Sequence, residues 1–161
     1  MDAWDVLDDG FGRVHELFAE VASDDADLTR APEGANTPAW MLWHLARVED
    51  DHVAGALDLE QVWYQGWADR FALPFTAQAH GYGMTIDEVL KVRPSAELLR
   101  GYHEAVHAQT RTALANKPDL DRVVDDRWDP PVTLGVRLIS VLADELQHLG
   151  QVAYVLGLSP A

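Results

Sequence analysis

The sequence predicts an all-α protein built as a four-helix bundle. Three observations carry that reading: four long stretches place apolar residues at helical spacing, start and stop signals bound them, and no convincing period-2 strand appears. The stretches run to roughly 18–23 residues, or ~27–35 Å of helix, which suits a bundle. The whole chain, 1–161, reads as a single helical domain.

The first helix carries Leu7, Phe11, Val14, Phe18 and Val21 at spacings that share one stripe, and Ser23–Asp27 ends it. Thr37 is placed to cap the second, with Pro38 at its first position, where a missing N–H costs nothing. Trp40, Met41, Leu45 and Val48 are its expected core positions, and the helix runs to Leu57. Leu59–Gly83 is too irregular for one helix and too aromatic for a solvated linker, and long structured loops are usually functional. Thr85-Ile86-Asp87-Glu88 matches a capping box and opens a short helix to about Val92. Pro94-Ser95 leads into the third long helix, Ala96–Asn116, which Lys117-Pro118 stops. A second irregular stretch, Leu120–Pro131, ends in Trp128-Asp129-Pro130-Pro131. Thr133 caps the fourth, Leu134–Leu156, and Gly157 terminates it. Long aromatic-rich loops between helices two and three, and three and four, allow crossovers, so a simple up-down order is not assured.

Composition narrows the function. The chain has 161 residues with 27 acidic and 12 basic side chains, a formal charge of −15, so it has no basic surplus for nucleic-acid phosphates or an anionic membrane surface. An apolar fraction of 48 % excludes general disorder. No apolar run approaches the ~18 residues of a membrane span. Met1–Gly10 lacks the pattern of a secretory leader, so a cytoplasmic protein is expected. The absence of cysteine excludes disulfides, thiolate zinc sites and a cysteine nucleophile.

The first candidate for chemistry is His44 with Asp144 and His148. Asp144 and His148 stand at i and i+4, one turn apart on one face, a workable metal claw among Val141, Leu149 and Val152. A bundle core can bring His44 to that pair, and three ligands leave positions open for water and substrate. Spacing alone leaves open an ordinary hydrogen-bonded Asp–His pair beside an unrelated histidine. His103-Glu104-Ala105-Val106-His107 matches the H-E-x-x-H pattern, but no strand accompanies it, and a solvated helix edge is the favoured reading. Glu49-Asp50-Asp51 with His52 reads as a solvated face, with Asp51 as a group that could support a metal site. Trp63, Trp67, Phe71 and Trp128 either cover the bundle ends, form an oligomer contact, or wall a pocket. Serine-hydrolase, P-loop and dinucleotide-binding motifs are absent.

Trp43-His44-Leu45 with Glu49-Asp50, and Asp144-Glu145-Leu146-Gln147-His148-Leu149-Gly150-Gln151, resemble the DinB/YfiT-like superfamily. The common family pattern has histidine where this chain has Asp144, and a carboxylate there resembles the mycothiol-dependent members. Asn36-Thr37-Pro38, Gln61-Val62-Trp63, the stretch 70–74, Gly81-Tyr82-Gly83 and Trp128-Asp129-Pro130-Pro131 look like actinobacterial mycothiol S-transferases. The resemblance implies a divalent metal, zinc first, held by His44, Asp144 and His148, although this ligand set also accepts iron, nickel or manganese. It implies mycothiol as cosubstrate and an electrophile as its acceptor, in detoxification or stress response. Gln151 is then expected to orient a ligand or water, and Arg47, Trp63, Trp67 and Trp128 to line the thiol or substrate pocket. A homodimer is possible. The additional C-terminal domain of mycothiol-dependent maleylpyruvate isomerases is missing after Ala161, so isomerase activity is not expected. Two alternatives stay open: a hydrolase using the same triad on water, and a non-catalytic dimeric binding module.

Overall fold

Capping side chains set where each long helix begins. The computed structural model describes residues 2–158. Helix α1 (Ala3–Val21) starts at Asp2, whose carboxylate accepts from the N–H groups of Trp4 and Asp5, while the Asp5 carboxylate accepts from Asp2 N–H. Its buried stripe is Leu7, Phe11, Val14 and Phe18, with Val21 only half-buried at the end. The break after it is as expected, but Asp24 there caps one further turn, α2 (Asp25–Leu28).

Helix α3 (Pro38–Leu57) begins at Thr37, whose hydroxyl accepts from Trp40 N–H. The aromatic segment that follows is ordered in short pieces: a 3-10 turn over Val62–Tyr64, α4 (Trp67–Phe71) and α5 (Ile86–Val89), the last opened by the Thr85–Glu88 capping box. Helix α6 (Ala96–Leu114) starts at Ser95, and α7 (Leu134–Gly157) at Thr133, each capped by a hydroxyl. Between them lie β1 (Val123–Asp125) and β2 (Val132–Thr133), an antiparallel pair with Val123 opposite Thr133 and Asp125 opposite Val132. This hairpin corrects the expectation of no strand. Its strands are too short to show a period of two, and the irregular register between Val123 and Asp125 removes what remains of the pattern.

The bundle is formed by α1, α3, α6 and α7. Both α1 and α3 pack against α6 and α7, so α1 faces α3, and α6 faces α7, across the diagonals. Chain-consecutive helices thus lie diagonally at two of the three connections, which is what long connections permit. Among the described residues no helix is long and apolar enough to cross a membrane.

Helix α3 is buried on every side over most of its length, and this overturns the reading of Glu49-Asp50-Asp51 as a solvated face. Glu49 and Asp50 are 0 % and 2 % exposed, and only Asp51 reaches the surface region. Asp50 accepts from the backbone N–H groups of Val62 and Trp63, both at 2.8 Å, and from the Tyr102 hydroxyl at 2.7 Å. Burial pushes its carboxyl pKa up, and these donors pull it back. Arg47, also fully buried, lies 3.5 Å from Asp50 and donates to Gln61 Oε1 at 2.9 Å. Asp50 therefore ties the aromatic segment to two helices. Asp50→Ala should lower the free energy of urea unfolding by about 3–5 kcal/mol, because it strands a buried arginine and two backbone donors. A loss below about 1 kcal/mol, the value of an exposed ion pair, would contradict this placement.

Candidate metal centre

Packing of α3 on α7 brings His44, Asp144 and His148 together, with one ligand atom of each within 4.8 Å of the others. On α7, His148 Nε2 lies 3.8 Å from Asp144 Oδ1. His44 is buried, whereas the side chains of His148 and Asp144 keep 16 % and 26 % of their exposure, so the group opens to solvent on the α7 side. The three are neither scattered nor a bare Asp–His pair.

Both imidazoles are held by their Nδ1 atoms. His44 Nδ1 donates to the His80 carbonyl oxygen at 2.5 Å, and His148 Nδ1 donates to Gln151 Oε1 at 2.8 Å. An imidazole whose Nδ1 proton is committed to an oxygen keeps its Nε2 lone pair, which is what a metal requires. The second Asp144 oxygen, Oδ2, is buried with no hydrogen-bond partner. A cation completes such an acceptor, so the residues present fit a divalent ion. Burial lowers the pKa of His44, with the His80 carbonyl opposing and His148 adding to the effect.

The loop carrying His80 reaches His44 only because residue 81 is glycine. Gly81 has φ +110°, and a Cβ there would stand 2.5 Å from His44 Nδ1 and 3.1 Å from Trp40 Cζ2. Trp40 stacks on His44 at 4.7 Å and fixes the ring plane from the other side. The family resemblance included Gly81-Tyr82-Gly83 but gave no role to His80. The one available signal was a glycine pair flanking an aromatic in a segment that had no need of a tight turn.

Beside Asp144 is a cavity of about 230 Å³ lined by His52, Tyr82, Ser140 and Gln147. His52 also borders a larger cavity of about 670 Å³, whose wall includes Asp125, Arg127, Trp128 and Arg137. Trp128, 65 % exposed, stands on the wall of this larger cavity. Gln151 contacts His148 through its Oε1. Neither Arg47 nor Trp63 lines the two cavities that His52 borders, and Trp63 lines a separate one of about 320 Å³ with Trp43 and Phe75. Arg47 is used by Asp50, Gln61 and Tyr102, and Trp63 is buried under its guanidinium with Nε1 donating to the Ala77 carbonyl. Trp67 packs on Tyr102 and under the Arg70 guanidinium. Asp51 accepts from Gln61 and pairs with His52 at 3.1 Å, and does not join the three ligands.

The H-E-x-x-H segment is neither a solvated edge nor a zinc claw. His103 and His107 are buried, with ring centroids 6.2 Å apart, and both stack on His15 of α1. Glu104 alone faces out, because the i and i+4 histidines fall on the side of α6 that meets α1.

Residues 7–152 match the family model of the DinB superfamily. The crystal structure of a conserved protein from Enterococcus faecalis is similar to this chain, with 29 % identity, coverage of 97 % of this chain and 96 % of that one, and a TM-score of 0.87. No curated protein matches the chain.

Gln151→Leu should weaken divalent-ion binding by about 10–100-fold without loss of helix, as removal of an outer partner of a ligand does. Gly81→Ala should act in the same direction by displacing His44. Zinc titration against a competing chelator reads both, and an affinity equal to wild type would contradict the anchoring role. A pH effect arises separately at His107. Burial, with His15 and Arg111 adding to it, lowers its pKa from 6.5 to about 4. The unfolded chain then takes up a proton that the folded one refuses, so stability is lost as pH falls from 6.5 toward 4. In chemical denaturation at stepped pH, His107→Gln should flatten that decline, and an unchanged slope would contradict it.

Proposed function

This chain belongs to the DinB superfamily, and on that premise we propose that it is a divalent-metal-dependent S-transferase acting between a low-molecular-weight thiol, mycothiol or a similar sugar thiol, and an electrophile. The observation that carries the reading is the pair of histidines locked through Nδ1, so that each keeps its Nε2 lone pair, gathered with a carboxylate in a site open to solvent. A bound divalent ion supplies a Lewis acid that lowers the pKa of a thiol brought to it.

The chain's own residues do the rest. His80 and Gln151 hold the ligand rings, so no reorganisation is needed when the thiol arrives. His52, whose Nδ1 is paired with Asp51 Oδ2 at 3.1 Å, lines the cavity beside Asp144 and keeps Nε2 to accept the thiol proton. Tyr82 and Trp128 offer exposed aromatic surface, the kind of surface on which sugar rings and apolar electrophiles settle. With no cysteine, the protein cannot form a mixed disulfide with its cosubstrate. An acidic chain does not repel the uncharged sugar and cyclitol parts of such a thiol.

The reading is tested by conjugating mycothiol to a fluorogenic electrophile in the presence of zinc. Product should form only with thiol and metal together, and His148→Ala should reduce it to background. Product formed without thiol would overturn the transferase reading in favour of hydrolysis at the same triad.

A further inference from the structure

A second set of ligand-type side chains meets inside the bundle, contributed by three helices: Glu49 of α3, His103 of α6 and Glu145 of α7. All three are at most 1 % exposed. One ligand atom of each lies within 4.8 Å of the others. The contact between His103 Nε2 and Glu49 Oε2 is 3.6 Å, too long for a hydrogen bond. Five buried polar atoms, both oxygens of Glu49, both of Glu145 and His103 Nε2, make no well-formed hydrogen bond, although the buried Thr110 side chain and the Glu145 carboxyl group approach Glu49. Native interiors rarely leave one such atom unsatisfied, and here five belong to three side chains that converge.

The protonation of His103 follows from the contacts on its far side. His15 Nε2 lies 3.1 Å from the surface carboxylate of Glu104; in a neutral His15 this places the proton on Nε2 and makes Nδ1 an acceptor. His103 Nδ1 then donates to His15 Nδ1 at 3.4 Å, and the His103 Nε2 lone pair is left facing the two carboxyl groups. Phe18 stacks on the His103 ring at 4.0 Å and holds its plane. Two carboxylates and a neutral imidazole carry a charge of −2, which one divalent cation cancels. Without a cation the carboxyl groups must hold protons instead, and burial does push both upward, Glu49 to about 7.

We propose that Glu49, His103 and Glu145 form an internal binding site for a divalent first-row transition-metal ion, separate from the triad of His44, Asp144 and His148. Two hard oxygens with one imidazole nitrogen suit manganese, iron or zinc better than magnesium or calcium, which prefer oxygen alone. The sealed position makes this a site that joins α3, α6 and α7 rather than one that exchanges substrate. The ion is taken up as the bundle closes. The site is independent of the reading of the triad.

The test uses the full chain, unfolded in the presence of chelator, refolded with Mn²⁺ or with Zn²⁺, desalted and analysed for metal. Wild type should retain two ions per chain, and His44→Ala/His148→Ala should retain one. Adding Glu49→Gln and Glu145→Gln to that variant should remove it. A folded His44→Ala/His148→Ala variant that retains no ion overturns the proposal, as does an ion that survives the glutamine substitutions. If the glutamine variant does not fold, pulsed electron paramagnetic resonance of the Mn²⁺-refolded His44→Ala/His148→Ala protein decides. One imidazole nitrogen on manganese is expected, and none, or more than one, overturns the site.

Discussion

A helix that is buried on every side has no water to satisfy its polar side chains, and α3 is such a helix. Between Thr37 and Asp50 it carries His44, Arg47, Glu49 and Asp50, each almost fully buried. Every one of them must find its partner within the protein. His44 takes the His80 carbonyl, Arg47 and Asp50 take each other with Gln61, Tyr102 and two backbone amides, and Glu49 turns toward His103 and Glu145. The rest of the architecture follows from these demands. The aromatic segment is drawn onto the bundle by Asp50, its Gly81 turn is pressed against His44, and α6 and α7 supply the remaining partners.

Much of the fold was legible in the sequence because it rests on local chemistry. Thr37-Pro38, Thr85–Glu88 and Thr133 act as caps whatever the tertiary context, and the stripe from Leu134 to Val155 is buried as its spacing requires. The family resemblance supplied what spacing could not, since an Asp–His pair at i and i+4 is common and His44 lies about a hundred residues away. Glu49 and Asp50 were misread because three successive acids are ordinarily solvated. Their burial depends on partners 12 to 96 residues distant, which no local pattern records. His80 acts through its backbone carbonyl, which carries no residue-type signal at all.

The triad and the core cluster differ in ways that suit different tasks. The triad has two side chains with residual exposure and, beside Asp144, a cavity that His52 also lines. Its two imidazoles are oriented by hydrogen bonds to the His80 carbonyl and Gln151, so their geometry is set by the protein itself. The core cluster has no such opening, and its His103 is braced through His15 toward Glu104. Glu145 directly follows Asp144 on α7, so one helix presents adjacent carboxyl groups to the outer site and to the interior.

Hydrogen bonds at Nδ1 leave the Nε2 atoms of His44 and His148 available to a metal ion. Long-range proton–nitrogen NMR of histidine side chains in the metal-free protein, at mildly alkaline pH, reads this directly. Both residues should carry their proton on Nδ1, and both Nε2 resonances should move with the first ion of zinc to enter the outer site. A proton on Nε2 of either residue, or Nε2 resonances that zinc leaves unchanged, would contradict the account.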